Sequence, residues 1–238
     1  MGWENAVQEY RLAGGNRSFG AGLKDEGTDI GRGFEIPVCS PQVLEAKQAF
    51  VKFFGRVGDR VSTSRNVVDE LKHSGYHWAC TYPKGRRPTG VNTGAVLFLA
   101  RLVRDPDDIV IYGRAIGVRH EPVRDDATPN DIQLRQWKMK WPHYIRVHNV
   151  EVVAGTLSNG ISLNELMTAL HQDSFAPTQR NAAAGTGNIN PRRAYLRQAA
   201  VELTQQGASW LSGRLEAAFL FHGRLAPSEL DKLDWPQR

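Results

Sequence analysis

This sequence has few cysteines and no long apolar run, and its first residues do not resemble a secretory leader. The chain has two cysteines, Cys39 and Cys80, among 238 residues, too few for a disulfide framework or for a zinc site made of cysteine alone. Its apolar runs, such as 95–100, are far shorter than the roughly 20 residues that span a bilayer. Residues 1–5 do not form a basic region followed by an apolar stretch, so they do not resemble a signal peptide. We therefore expect a cytoplasmic protein with no membrane partner.

Complete catalytic motifs are a second absence. Residues 14–33 hold seven glycines, but no Gly-Lys-Ser/Thr ending and no preceding strand, which argues against a phosphate-binding loop. No Gly-x-Ser-x-Gly elbow or two-metal nuclease motif occurs. A glycine separates His73 from His77, so a helix cannot bring them together. His143 and His148, five residues apart, are predicted on opposite faces of a strand. We therefore expect a binding module with no catalytic residue, cofactor or metal, rather than an enzyme.

Positive charge is concentrated in two segments. The net charge is +5, and residues 1–83 carry ten basic and ten acidic side chains. Residues 84–146 carry twelve basic and seven acidic side chains, and residues 173–197 carry four and one. A local excess of this kind indicates contact with a phosphate backbone. A solvated surface rich in arginine gives the same pattern, so charge alone leaves both interpretations open.

Apolar periodicity predicts helices before and after a body of strands. Helical spacing predicts a helix over 42–54 and a second from Ser62 or Ser64 to residue 75. A capping box that starts at Ser162 predicts a helix through residue 170, and helical patterns recur near 192–200 and 208–221. The stretch 173–191 is polar and is predicted as a connection. Strands are predicted over 76–82, 94–103, 109–118 and 144–153.

The order of these elements defines two parts of the chain. Residues 1–74 are predicted as a helical extension with a glycine-rich loop, and residues 75–238 as the main domain. A turn of proline and aspartates at 105–108 joins two of the strands. Because no helix alternates regularly with the strands, the pattern favours a twisted or barrel-like sheet with flanking helices over a series of βαβ units.

Aromatic residues interleaved with basic residues suggest how such a domain binds. Trp78 and Tyr82 directly precede Lys84-Gly85-Arg86-Arg87, and the segment 137–144 contains Trp137, Trp141 and Tyr144 with two lysines. Aromatic faces stack on unpaired or flipped bases while neighbouring cations hold phosphates. Any one of these tryptophans taken alone is better explained as a core residue, and only the set as a whole favours nucleic-acid binding.

At these residues the chain resembles the PUA-like superfamily, in particular its EVE and YTH branch, over about 75–221. The resemblance rests on the order of four features: Trp78 on the first strand, the strand pair around 107–116, Trp-Pro-His-Tyr-Ile-Arg-Val at 141–147, and Ile-Ser-Leu-Asn-Glu-Leu at 161–166. Gly113-Arg114-Ala115-Ile116-Gly117 is also similar to a glycine-containing run of that branch. Residues 1–74 and the insertion 173–191 are not part of the minimal domain of that branch.

The resemblance implies an α+β fold: a PUA-like (EVE/YTH-like) twisted β-barrel with flanking helices and a pocket for one modified base. It implies a reader of modified duplex DNA, with methylcytosine flipped into an aromatic pocket, acting within a modification-dependent restriction system. The partners expected are modified DNA and a nuclease domain or subunit. The alternatives are an RNA reader resembling YTH domains, a nuclease with unrecognised metal ligands, and a protein-interaction domain.

The candidate site residues fall into two groups. One group would line the base pocket, and the other would contact the backbone or groove of the nucleic acid. The polar stretch 173–191 and the arginines that follow it supply part of the backbone group, because a helix start flanked by arginines suits a phosphate and amide side chains suit a base edge. A solvated connecting loop explains that stretch equally well. The candidates for the pocket are Trp78, Tyr82, Trp137, Trp141, Tyr144, Asp173 and Phe175. The candidates for the backbone or groove are Lys84, Arg86, Arg87, Arg114, Lys138, Lys140, Gln179, Arg180, Arg192 and Arg193.

Overall fold

The structure is a computed structural model that describes residues 46, 48–56, 78–104, 108–134, 136–195 and 198–226. For a few of these, Trp78 and Trp137 among them, it describes the backbone but not the side chain. All described residues belong to one compact unit, Cys39–Arg238. The predicted glycine-rich loop at 14–33, the predicted helix that ends at residue 75 and most of the turn at 105–108 lie outside the described residues.

The unit is α+β, with several helices and one curled, half-barrel sheet. Along the sheet the strands run in the order β2-β5-β4-β3-β1-β7, with β6 paired to β4. Neighbouring strands are antiparallel except β1 and β3, which are parallel. The strands are β1 Ala49–Arg56, β2 Trp78–Tyr82, β3 Val96–Arg104, β4 Asp108–Gly117, β5 His143–Val152, β6 Ile161–Ser162 and β7 Ala200–Glu202.

The four predicted strands are confirmed as β2, β3, β4 and β5 within the described residues. The helix predicted over 42–54 is wrong, because 49–56 is strand β1. Ala49 and Val51 pack into one apolar cluster and Phe50 and Phe54 into another. Since both faces of this inner strand are buried, polar residues do not mark alternate positions and the period of two disappears. The sheet therefore extends into the segment that sequence assigns to the N-terminal extension.

Six helices flank the sheet in the described residues. The cap predicted at Ser162 is confirmed, because the hydroxyl of Ser162 accepts a hydrogen bond from the N–H of Asn164 and the helix Leu163–Leu170 follows. The prediction of 173–191 as a connection without a helix is wrong, because Ala176–Ala184 is a helix. The helix predicted near 192–200 is limited to the four residues Pro191–Ala194, and strand β7 begins at Ala200. The helices are α1 Pro122–Asp125, α2 Pro129–Leu134, α3 Leu163–Leu170, α4 Ala176–Ala184, α5 Pro191–Ala194 and α6 Gln205–His222.

Two apolar clusters lie on the two faces of the sheet and fix which loops meet. One contains Val51 and Phe98 with the buried sides of α3 and α6, and the other contains Leu97 and Ile145. Fully burying a large aliphatic side chain contributes about 1.5–3 kcal/mol, so these clusters hold the strands in register. Among the described residues, no helix is long and apolar enough to cross a membrane.

Candidate nucleic-acid interface

Two connections meet at the end of the sheet where β2 and β4 finish and β5 begins. The N–H of Lys84 donates to the carbonyl of Lys140 at 2.9 Å, and the N–H of Arg119 donates to Thr93 Oγ1 at 3.1 Å. β4 and β5 are antiparallel neighbours, so the end of one strand lies beside the start of the other. We call the described part of these two connections the loop surface: residues 83–95, 118–134 and 136–142.

The loop surface is rich in exposed cations and poor in exposed acids. Among its described residues six basic side chains are exposed, against one exposed acid, Glu121. Three large apolar side chains are also exposed there: Val123, Leu134 and Met139. An exposed surface that combines cations with apolar groups suits a partner with phosphates and bases. The exposed cations are Lys84, Arg86, Arg87, Arg119, Arg124 and Lys140.

Two of the predicted backbone contacts are corrected by burial. Arg114 is 4% exposed, and its guanidinium donates to Glu151 and to Glu216 at 2.6 Å each. Lys138 is 1% exposed, and its ammonium lies 3.7 Å from a carboxylate oxygen of Asp131. Buried cations of this kind are matched by internal carboxylates. Neither side chain is available to a phosphate.

The predicted pocket is also corrected in part. Tyr82, Tyr144 and Phe175 are buried. Phe175 packs in the apolar cluster on one face of the sheet, and Tyr82 packs in the cluster on the other. In the register of β2 and β5, Tyr82 is opposite His143 and Tyr144 is opposite Thr81, so the two tyrosines point to opposite faces as well. These three rings therefore do not line one pocket.

The remaining pocket candidates fall in different places. Trp141 is half-buried on the loop surface, next to the start of β5. Asp173 is half-buried near the start of α4 and accepts a hydrogen bond from Gln179 at 3.3 Å. The backbone of Trp78 begins β2, opposite Val147 of β5. The structure brings neither Phe175 nor Asp173 to the loop surface.

The predicted groove residues divide between two edges of the sheet. Lys84, Arg86, Arg87 and Lys140 lie on the loop surface, which adjoins β2. The others lie on α4 and α5, and a 3.4 Å ion pair from α4 to Glu202 places α4 at β7, the opposite edge. This second group consists of Gln179 and Arg180 on α4 and of Arg192 and Arg193 on α5. All four are exposed.

A cluster of two histidines and one aspartate lies within the loop surface and at the start of β5. One ligand atom from each of His120, Asp126 and His143 lies within 4.8 Å of the other two. Nδ1 of His143 donates to Oδ1 of Asp126 at 2.6 Å, and Nε2 of His120 lies 3.1 Å from the same oxygen. Oδ2 of Asp126 accepts a hydrogen bond from Arg87 at 2.7 Å. One carboxylate therefore faces three basic groups.

These basic groups determine the charge of Asp126. Burial by itself raises the pKa of this carboxyl. The hydrogen bond from His143 and the electrostatic interactions with His143, His120 and Arg87 lower it, and the net pKa is below the usual 3.8. Asp126 is therefore ionised at neutral pH, with its two oxygens available as acceptors or ligands.

The spacing of histidines along the sequence did not predict this cluster. His120 and His143 lie at the two ends of the connection from β4 to β5, and Asp126 lies between them in that connection. The usable signal was topological: His120 follows the end of β4 by three residues, and His143 begins β5. Because sequential antiparallel strands place such ends side by side, the strand prediction already implied that these two histidines are neighbours.

No protein-family model matches the chain, and neither a curated protein nor a solved structure matches it. The resemblance to PUA-like readers therefore rests on the sequence features given above.

Proposed function

We propose that this protein binds nucleic acid through the loop surface. The observation that carries the proposal is the set of six exposed cations against one exposed acid at this end of the sheet. Two further cations of the same basic segment of the sequence, Arg114 and Lys138, are buried and paired with carboxylates of the chain. The excess that remains is thus concentrated on the surface, where neutralised phosphates release counterions and supply binding free energy.

The finer proposal is that the protein reads a modified base, methylcytosine in duplex DNA. Extruding a base costs a few kcal/mol, and stacking on an aromatic side chain returns about 1–3 kcal/mol for each base. Trp141 is the half-buried aromatic residue on the loop surface. Trp78 and Trp137 stay candidates from the sequence. We assign the protein the reader role in a modification-dependent restriction system, with a nuclease domain or subunit as its partner.

A binding panel with matched variants tests the proposal. Fluorescence anisotropy compares duplexes with and without cytosine or adenine methylation and single-stranded RNA, at several salt concentrations and with EDTA present. The double substitution Lys84→Gln/Arg86→Gln removes two cations of the loop surface, and Arg192→Gln/Arg193→Gln removes two exposed cations near the other edge. Each double variant changes the net charge equally, so a difference between them reports position.

We expect the first double variant to flatten the slope of log affinity against log salt by up to about 1.8 units, since each phosphate contact contributes about 0.9. The second double variant should leave the slope within error of the wild type. Equal effects, or an effect of the second variant alone, would remove the loop surface from the interface. Trp141→Ala and Trp137→Ala should reduce discrimination between methylated and plain duplex more than they reduce affinity for the plain duplex.

The same panel separates the alternatives. Preference for methylated RNA over every duplex would favour a reader resembling YTH domains. Cleavage of the oligonucleotides on addition of Mg²⁺ or Mn²⁺ would favour a nuclease. Absence of binding to every oligonucleotide at low salt would favour a protein-interaction domain, in which the aromatic residues serve the core.

A further inference from the structure

The hydrogen bonds of His120 define the state of its ring. The carbonyl of Tyr144 lies 2.7 Å from Nδ1, and a carbonyl oxygen only accepts, so Nδ1 carries a hydrogen. In the neutral imidazole Nε2 then has a lone pair. This nitrogen is buried and lies 3.1 Å from Oδ1 of Asp126, in a geometry that is not an aligned hydrogen bond. Two lone pairs at this distance repel each other, so the pair is favoured when a positive particle lies between or beside the two.

A proton or a metal ion meets this requirement, and the two prefer different geometries. A shared proton favours a nearly straight N–H···O arrangement. Nε2 of His120 lies 3.1 Å from Oδ1 of Asp126, a normal distance, but the pair does not form an aligned hydrogen bond. An ion bound by two atoms at about 2.0–2.2 Å lies off the line that joins them. The two atoms are therefore close enough to bind one ion without forming an aligned hydrogen bond with each other.

The geometry points to a divalent transition-metal site formed by His120, Asp126 and His143, with Zn²⁺ as the ion of matching chemistry. Two imidazoles and one carboxylate are a donor set that zinc accepts, with a fourth position left for water or another ligand. Zinc ligands at tetrahedral angles are about 3.3 Å apart. The contacts of 2.6 and 3.1 Å at Oδ1 therefore need to open by about 0.7 Å for His143 and about 0.2 Å for His120.

The groups around the cluster are those that support metal ligands. A histidine ligand usually donates its other ring N–H to a carbonyl or a carboxylate, which fixes the ring, and Nδ1 of His120 does so with Tyr144. A carboxylate ligand is usually hydrogen-bonded in turn, and Arg87 donates to Oδ2 of Asp126. Binding replaces the Nδ1 hydrogen of His143 with the ion, as histidine ligands require.

The open position faces the loop surface. The side chain of His120 is 1% exposed, whereas those of His143 and Asp126 are 12% and 20% exposed and that of Arg87 is 48% exposed. An ion held here is therefore anchored from the interior by His120 and reached by solvent from the side of Arg87. Its fourth ligand is water or an anionic oxygen.

Metal binding is measured on the full chain without nucleic acid, so the result is independent of the proposed function. Isothermal titration with Zn²⁺ gives affinity and stoichiometry, and the visible spectrum of the Co²⁺ form reports nitrogen and oxygen ligands in a low-coordinate site. Asp126→Asn and His143→Ala remove ligands, and His120→Ala removes the buried one. The matched control is His171→Asn, which removes an exposed histidine at a positive φ of 46° that asparagine tolerates.

We expect one Zn²⁺ to bind with an affinity that falls on the order of 10–100-fold or more in Asp126→Asn and His143→Ala, and is unchanged in His171→Asn. Zn²⁺ should raise the thermal midpoint of the wild type and not that of Asp126→Asn, because an ion that binds the folded state stabilises it. If His120→Ala does not fold, the Zn²⁺ affinities of Asp126→Asn and His143→Ala, which change partly exposed residues, decide whether the site exists. Absence of Zn²⁺ binding, or binding that is equal in the wild type and both variants, would overturn the site.

Discussion

Arg146 and Asp125 form a buried two-point ion pair that joins β5 to α1. Nε of Arg146 lies 2.8 Å from Oδ1 of Asp125, and Nη2 donates to Oδ2 at 3.2 Å. Oδ2 also accepts the backbone N–H of Glu121 at 2.8 Å. The pair therefore fixes the short helix immediately before Asp126, and so the position of the carboxylate in the histidine cluster.

Asp125→Asn should lower the free energy of unfolding by about 3 kcal/mol, measured by urea unfolding. The side chains of Asp125 and Arg146 are 1% and 2% exposed, and removing one charge of a buried pair leaves the other poorly compensated. Arg180→Gln is the control, since its pair with Glu202 is 67% and 33% exposed and such pairs contribute less than about 1 kcal/mol. A loss below 0.5 kcal/mol, taken as about the error of the method, would contradict the prediction.

A second network joins β4 to β5 and α6. Arg114 pairs with Glu151 and Glu216, and Arg224 pairs with the same two carboxylates at 2.8 Å each. Arg114→Met should cost about 1–3 kcal/mol, because the two carboxylates lose their buried partner and keep only the partly exposed Arg224. Arg214→Met is the control, since Arg214 is 43% exposed, and should cost less than about 1 kcal/mol. Equal losses in the two variants would show that burial of Arg114 does not determine its contribution.

Two glycines of α6 should respond to alanine with opposite sign. A Cβ at Gly207 would lie 2.5 Å from the carbonyl oxygen of Ser174, whereas nothing described lies within 4 Å of a Cβ at Gly213. Gly207→Ala should therefore destabilise the protein by about 1–3 kcal/mol through overpacking. Gly213→Ala should stabilise it by up to about 1 kcal/mol, because alanine favours the helix. Thermal midpoints measure both, and a stabilised Gly207→Ala variant would show that α6 moves freely at its start.

Asp131 should make part of the stability depend on acid pH. Its carboxylate accepts hydrogen bonds from the backbone and the hydroxyl of Thr128, at 2.8 and 2.7 Å. Burial raises the pKa of Asp131, but these bonds and the charge of Lys138 outweigh burial and hold the pKa below its usual 3.8. Because the folded-state pKa is the lower one, this contribution is present above about pH 3.8 and is lost as the pH falls through the folded-state pKa.

Asp131→Asn should accordingly have a lower thermal midpoint than the wild type at pH 7. The difference should shrink as the pH is lowered from 5 towards 2.5. Thr128→Ala removes one of the hydrogen bonds and should reduce the same dependence, since Thr128 and Asp131 form the capping box of α2. A difference that stays constant over this range would mean that the ionised form of Asp131 is not favoured by folding.

Several elements were predictable from sequence because their signals are local. The alternation in β2, the apolar stretches of β3 and β4 and the Ser162 cap depend on residues a few positions apart, and the structure has these elements. β1 was predicted as a helix because burial on both faces removes the polar marks of alternation. Phe175 was predicted in a pocket but packs in the core. The polar residues around it in the sequence do not show whether its ring is exposed or buried.

The sequence by itself determined the main strands, their order along the chain and the two segments that carry excess positive charge. Only the tertiary structure decided which of those charges face solvent, because the partners that neutralise Arg114 are 37 and 102 residues away in the chain. It also decided which residues form the His120, Asp126 and His143 cluster. Charge, hydrogen bonding and metal affinity act over a few ångströms, whereas sequence spacing measures proximity only within a single helix, strand or turn.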